Sequence, residues 1–217
     1  LFEKRWLFFI KRVNFWTLLI QNRKIMDRKI AERYRRKEII LKGALESYSK
    51  KGLEGMTMDD IAQESSFGKA TIYYYFSSKE DIVCALLEMG WKDLWESVEE
   101  MIVEDISARK KFVKILNQMA DIVYKNKSLY EFLFTAPRNI TIPDSKASWK
   151  KFQSRTYATL QSVVDEGMDQ GDFADIKPDL FMKAVGGILR RILFMGNQEK
   201  LKEKDIESLI SNFIYPS

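Results

Sequence analysis

The feature that most constrains this chain is the crowding of helix stops between Gly52 and Ser78. Gly52, Thr57, Ser65, Ser66, Gly68, Ser77 and Ser78 interrupt the apolar periodicity so often that no helix there exceeds about two turns. Ahead of this stretch, Ile39, Ile40, Ala44, Leu45 and Tyr48 form the inner stripe of a longer helix whose other side is Lys and Arg. Gly52 is placed to end that helix as a left-handed cap. Thr57 followed by Asp60 has capping-box spacing, so a second helix starts there with Ile61 and Ala62 facing inward. Ser65 and Ser66 make a turn, and Gly68 opens a third helix, KATIYYYF. Ser77 or Ser78 caps a fourth, with Glu80 and Asp81 favourably placed in its first turn. Two short helices between two longer ones have the layout of a helix-turn-helix.

The third helix carries Lys69, Thr71, Tyr73, Tyr74 and Tyr75 within seven residues. Hydroxyls and an ammonium suit phosphate oxygens, and rings and methyl groups suit thymine methyls in a major groove. Ile72 and Phe76 alone make a thin inner face, so part of the tyrosine set is expected in the core. Charge follows the same division. Residues 1–82 hold 17 Lys/Arg against 11 Asp/Glu, whereas residues 83–217 hold 19 against 20. The excess positive charge therefore sits in the N-terminal third of the chain, which suits a polyanion-binding module or a merely solvated basic face.

From Arg33 to Ile82 the chain resembles the DNA-binding region of the TetR family of repressors. Thr71, Ile72, Tyr73, Phe76, Lys79 and Ile82 fall in the register of that family's recognition helix and the start of the helix after it. The resemblance implies DNA contacts from Lys69, Thr71, Tyr73, Tyr74 and Tyr75. It implies phosphate contacts from Lys79, from Thr57 and from the amide of Met58 at the second helix N-terminus. Departures are Ser66 at a turn position usually glycine, Phe67 for a smaller aliphatic, and Asp59 and Asp60 near the DNA-facing end.

Beyond residue 82 the periodicity stays helical, with expected helices near 79–104, 108–126, 129–135, 145–169, 179–196 and 203–214 and a loop over 138–143. The predicted fold is all-α: an N-terminal three-helix head over 26–78, then a helical effector-binding and dimerisation bundle over 79–217. A small-molecule cavity is expected among the bundle helices, with Trp91, Trp95, Phe112, Met119, Tyr124, Tyr130, Phe134, Trp149, Phe152 and Tyr157 as candidate lining. Each alone is more often core than pocket. An aromatic, sulfur-bearing lining suits a hydrophobic molecule or a lipophilic cation. Phe181, Val185, Ile188, Ile192 and Met195 form one stripe, and Ile206, Leu209, Ile210 and Phe213 another. By the family resemblance these two helices pair with a second copy in a four-helix interface.

Histidine is absent and Cys84 is the single cysteine, so neither a metal cluster nor a disulfide within the chain is expected, and a reducing cytoplasm suits the chain. No nucleophile–base set, Walker loop or dinucleotide fingerprint appears. Enzymatic function and a cofactor are not expected. Residues 1–25 differ from the rest: two apolar runs split by Lys11 and Arg12, each too short for the ~18 residues that span a bilayer. They read as a non-native or disordered extension ahead of Met26. The expected function is a ligand-responsive repressor that binds double-stranded palindromic operator DNA as a homodimer, with no membrane partner. An activator of the same fold is the alternative. A membrane-surface helical protein anchored by residues 1–25 is the alternative from another class.

Overall fold

The computed structural model describes residues 2–135, 142, 146–174, 177–195 and 202–214, with the side chains of 2–26, 195, 209 and 212–214 outside the description. Its helices are α1 (Phe2–Gly55), α2 (Met58–Glu64), α3 (Lys69–Tyr75), α4 (Lys79–Val98), α5 (Ala108–Lys125), α6 (Lys127–Thr135), α7 (Trp149–Asp169), α8 (Pro178–Met195) and α9 (Glu203–Ile214), and no strand occurs among the described residues. The backbone of residues 2–25 is helical and continuous with the rest of α1.

Local chemistry explains the head. Gly52 breaks α1 at φ 65° and ψ 178°, a backbone region open essentially to glycine and distinct from the left-handed cap expected there. The capping box forms: Thr57 Oγ1 accepts from the Asp60 amide while the Thr57 amide donates to Asp60 Oδ2 at 3.0 Å. Ser66 closes the turn at φ 56°, the left-handed conformation that costs a non-glycine residue about 1–2 kcal/mol. Gly43 of α1 lies hard against Ser65, so the turn rests directly on the helix backbone. Ser78 caps α4 by accepting from the Asp81 amide.

The core does not stop at residue 78. Ile40, Ile61, Ile72 and Phe76 of the head share one cluster with Leu86, Trp91 and Leu94 of α4 and Phe132 of α6. A second cluster joins α5, α7, α8 and α9 around Phe112, Val164, Phe181 and Ile210. Ile39, expected in the inner stripe, is exposed, and Leu41 is buried in its place.

Two boundaries differ from the sequence reading. α4 ends at Val98 and tightens into a 3-10 turn over Glu99–Val103, because Glu99 and Glu100 put negative charge at the negative end of the helix dipole. α7 begins at Trp149, and Ser148 gives it no side-chain cap because its hydroxyl donates instead to Glu88 on α4 at 2.6 Å. Gly167 near the end of α7 admits the ring of Phe173, which any Cβ there would meet.

Candidate nucleic-acid interface and effector cavity

α3 buries Ile72, and Phe76 just after it, and turns its other residues outward. Tyr73 and Tyr74 are exposed, Thr71 and Tyr75 are half-buried, and Lys69 is exposed at the helix start. Tyr75 meets Tyr74 edge to face at 5.0 Å, which fixes the orientation of the exposed ring. Residues of α1 flank this face: the Arg33 guanidinium lies 6.0 Å from the Tyr74 ring centroid and Lys37 Nζ lies 5.5 Å from that of Phe76. The sequence reading assigned neither cation a place beside the tyrosines, since only tertiary packing brings α1 to α3.

Charges on this face are partly engaged within the chain. Lys69 Nζ pairs with Asp59 at 2.8 Å, and that hydrogen bond raises the lysine above its ordinary pKa. Asp60 is drawn down to about 2 by Lys51 and then by Thr57. Lys79, implied as a phosphate grip, donates to the Leu53 carbonyl at 3.1 Å. It is half-buried and ties α4 to the end of α1 with one of the three N–H donors of its ammonium. Thr57 is exposed but its hydroxyl donates to Asp60, and Met58 packs its side chain against the core while leaving its amide at the helix start.

The body holds a cavity of about 630 Å³ that opens to the surface along α8. Of the expected lining residues, Trp91, Phe112, Met119, Phe134 and Tyr157 reach it. Trp95, Tyr124, Tyr130, Trp149 and Phe152 do not line it. Trp95 instead carries Arg155 at 5.8 Å over its ring, and Trp149, Tyr130 and Phe152 belong to the core beside α4 and α6. Tyr124 is an exposed residue near the end of α5. Helical spacing fixed the shared stripe but not which helix each ring would meet.

The stripes assigned to a dimer interface also divide. Phe181 is fully buried against Phe112 and Phe173, with centroids at 5.5 and 5.1 Å. Val185 is buried and lines the cavity, and Ile206 and Ile210 are buried within the second core cluster. These four face the protomer's own interior and are withdrawn from the interface, because a side chain closed off by its own chain has no surface to offer a partner. Ile188 and Ile192 stay half-exposed, and Leu180 is exposed. The side chains of Leu209 and Phe213 lie outside the described residues. The sequence reading missed the cavity face of α8, where Met182, Lys183, Gly186, Arg190 and Phe194 take part. Among the described residues no group of acidic or thiol side chains is arranged to hold a metal ion. Nor is any helix there long and apolar enough to cross a membrane.

A short outward-facing helix flanked by Arg33 and Lys37 of α1, on a body that holds a cavity, defines a helix-turn-helix transcriptional regulator. Residues 40–86 match the family described as bacterial regulatory proteins, tetR family. The biofilm operon icaADBC negative transcriptional regulator IcaR of Staphylococcus aureus strain Newman is 44% identical over 180 residues, covering 82% of this chain and 80% of that protein. Among solved structures, AibR in complex with isovaleryl coenzyme A and operator DNA superposes at TM-score 0.70 and 17% identity, covering 84% of this chain and 100% of that one. FadR from Bacillus subtilis in complex with stearoyl-CoA superposes at TM-score 0.61 and 20% identity, covering 81% of this chain and 93% of that one. The chain belongs to the tetR family of bacterial regulatory proteins, which are transcriptional regulators and not enzymes.

Proposed function

We propose that this chain is a repressor that binds a near-palindromic operator as a homodimer and leaves it when a small, largely hydrophobic effector fills the cavity. The observation that carries this reading is that one helix serves both ends. The N-terminus of α4 closes the head through Ser78 and Lys79, and Trp91 on the same helix lines the cavity. Lys69, Thr71, Tyr73, Tyr74 and Tyr75 form the reading face, with the helix start at Thr57 and Met58 beside it for a phosphate. Repression is favoured over activation by the 44% identical relative, whose name describes a negative regulator. Leu180, Ile188 and Ile192 on the outer side of α8 remain as the protomer's contribution to the dimer, and the reading places the protein in the cytoplasm.

The test begins with selection of binding sequences from randomised duplex DNA, followed by mobility shift. Two half-sites related by a two-fold axis are expected, about 34 Å apart or a multiple of it. Sedimentation gives the protomer count. A monomer at micromolar concentration, or a selected site without two-fold symmetry, defeats the homodimer reading.

A further inference from the structure

We infer that the cavity takes an aliphatic-chain anion, with the Trp91 indole N–H as the hydrogen-bond donor to its polar head and Arg190 as the counter-charge. The inference rests on reading the cavity as the effector site and adds the chemistry of the ligand. Shape comes first. α8 lines the cavity from Asp179 to Phe194, a separation of fifteen positions, which at the helical rise is about 22 Å. A slot of that length with a volume of about 630 Å³ suits a chain better than a compact ring system.

Its two ends differ. Phe112, Leu116, Met182 and Val185 line one end, together with Asp179 and Lys183, which pair with each other. At the other, Trp91 meets Phe134 at 6.0 Å and Tyr157 at 5.6 Å, and Phe134 meets Phe194 at 6.0 Å. Trp91 is only 3% exposed, and its Nε1 has no hydrogen-bond partner among the described residues. Ser47 Oγ, Tyr130 OH and Trp149 Nε1 are also buried without partners, but none of those residues lines the cavity. An orphaned buried donor is costly, and a ligand oxygen that reached it by shifting the side chains over it would recover that cost.

The charges favour an anion. Asp179, the acidic residue of the lining, is already paired with Lys183 at 2.6 Å and lies at the far end of α8 from the rings. Arg190 is one helical turn from Phe194 and has no ion-pair partner among the described residues. Thr156 spends its hydroxyl proton on the Phe152 carbonyl at 2.9 Å, so it does not compete for the head group. A lipophilic cation, which ring faces alone would admit, would meet Arg190, while the acidic residue of the lining, Asp179, stands at the other end of α8.

The experiment is titration calorimetry on the full chain with three probes sharing one ten-carbon tail: decanoate, 1-decanol and decyltrimethylammonium. Decanoate is expected to bind tightest, decanol about tenfold weaker and the cation weakest. Arg190→Gln is expected to bring decanoate down to the level of decanol and leave decanol unchanged. Arg190 is exposed, so this variant does not endanger the fold. Trp91→Phe keeps a ring and removes the donor, and both oxygen-bearing probes are expected to weaken by about tenfold. Thermal unfolding checks that each variant is folded. The inference is overturned if the cation binds as tightly as decanoate, if none of the three binds, or if Arg190→Gln leaves the decanoate preference intact. Mobility shift on the selected DNA runs in parallel. Decanoate that binds without releasing DNA counts against the release mechanism alone, and DNA release by the cation alone counts against the anion alone.

Discussion

Replacing Gly43 by alanine tests how tightly the DNA-reading turn is set against α1. A Cβ at position 43 would stand 2.7 Å from the Ser65 amide nitrogen, 2.9 Å from Ser65 Cβ and 3.0 Å from Ser65 Cα. Ser65 has little freedom to retreat. Its amide donates to the Ile61 carbonyl at 2.9 Å, and its buried hydroxyl donates to the same carbonyl at 2.6 Å. The next residue, Ser66, already occupies the left-handed region. Forcing extra volume into a packed site costs about 1–3 kcal/mol, and alanine for glycine inside a helix returns about 1 kcal/mol. The obstacle is backbone rather than a flexible side chain, so we take the upper part of that range, and a net loss of about 1–2 kcal/mol follows. For a chain of this size that lowers the melting temperature by about 2–4 °C per kcal/mol. Because α3 follows the turn directly, affinity for the selected DNA should fall as well. Melting by circular dichroism and mobility shift read the two effects. If Gly43→Ala melts at or above the parent temperature, helix propensity has outweighed the contact and the close approach is not real.

Tyr73→Ala should weaken selected-DNA binding by about 1–3 kcal/mol with helical circular dichroism intact. Lys69→Ala should weaken all sequences alike and lower the salt slope by about one, as a phosphate contact does, and an unchanged slope refutes that role. Asp60 titrates at about 2 in the fold against roughly 3.9 unfolded, so its contribution is complete above the unfolded value and is lost as pH falls towards the folded one. Asp60→Asn should therefore flatten the stability profile between about pH 4 and about pH 2; acid denaturation curves of equal slope in both proteins would contradict this. Tyr48→Phe removes the hydroxyl that meets Thr135 Oγ1 at 2.8 Å between α1 and α6. It should leave DNA and ligand affinity, each measured alone, nearly unchanged and reduce the factor by which ligand weakens DNA binding, which mobility shift with and without ligand measures.

What the sequence disclosed was whatever is decided within a turn or two. Thr57 and Asp60 form their box because both partners lie on one turn, and Ser78 caps α4 for the same reason. Helix starts and ends in the body follow from periodicity and were recoverable to within a few residues, the exceptions being the C-terminus of α4 and the start of α7. The direction in which a stripe faces is a tertiary fact. Phe181 and Val185 stand on one apolar stripe that fits a partner subunit or an internal cavity equally well by spacing. Packing against Phe112 and Phe173 decides for the interior. Gly43 gave no local signal, because a glycine inside a helix declares its purpose only when Ser65 arrives from twenty-two positions away. Lys79 matched a motif in register, and the bond it gives the Leu53 carbonyl is a packing fact that the motif did not disclose.

A cavity and a reading head influence each other only through elements that both of them hold. α4 is one, since Trp91 lines the cavity and Lys79 ties the same helix to Leu53. α6 is the second, and it is short enough to act as one piece. Phe134 forms cavity wall, Phe132 meets the Tyr48 ring edge to face at 5.1 Å, and Thr135 accepts the Tyr48 hydroxyl. Thr135 in turn donates its own proton to the Glu131 carbonyl, so the hydroxyl is oriented before Tyr48 reaches it. A ligand that shifts α6 through Phe134 carries Phe132 and Thr135 with it. Densely packed helices do not deform continuously, so such a shift passes between alternative packings rather than through a graded series. Ligand and DNA act on each other only to the extent that they prefer different packings of α4 and α6. The factor by which one weakens the other must then be the same in both directions.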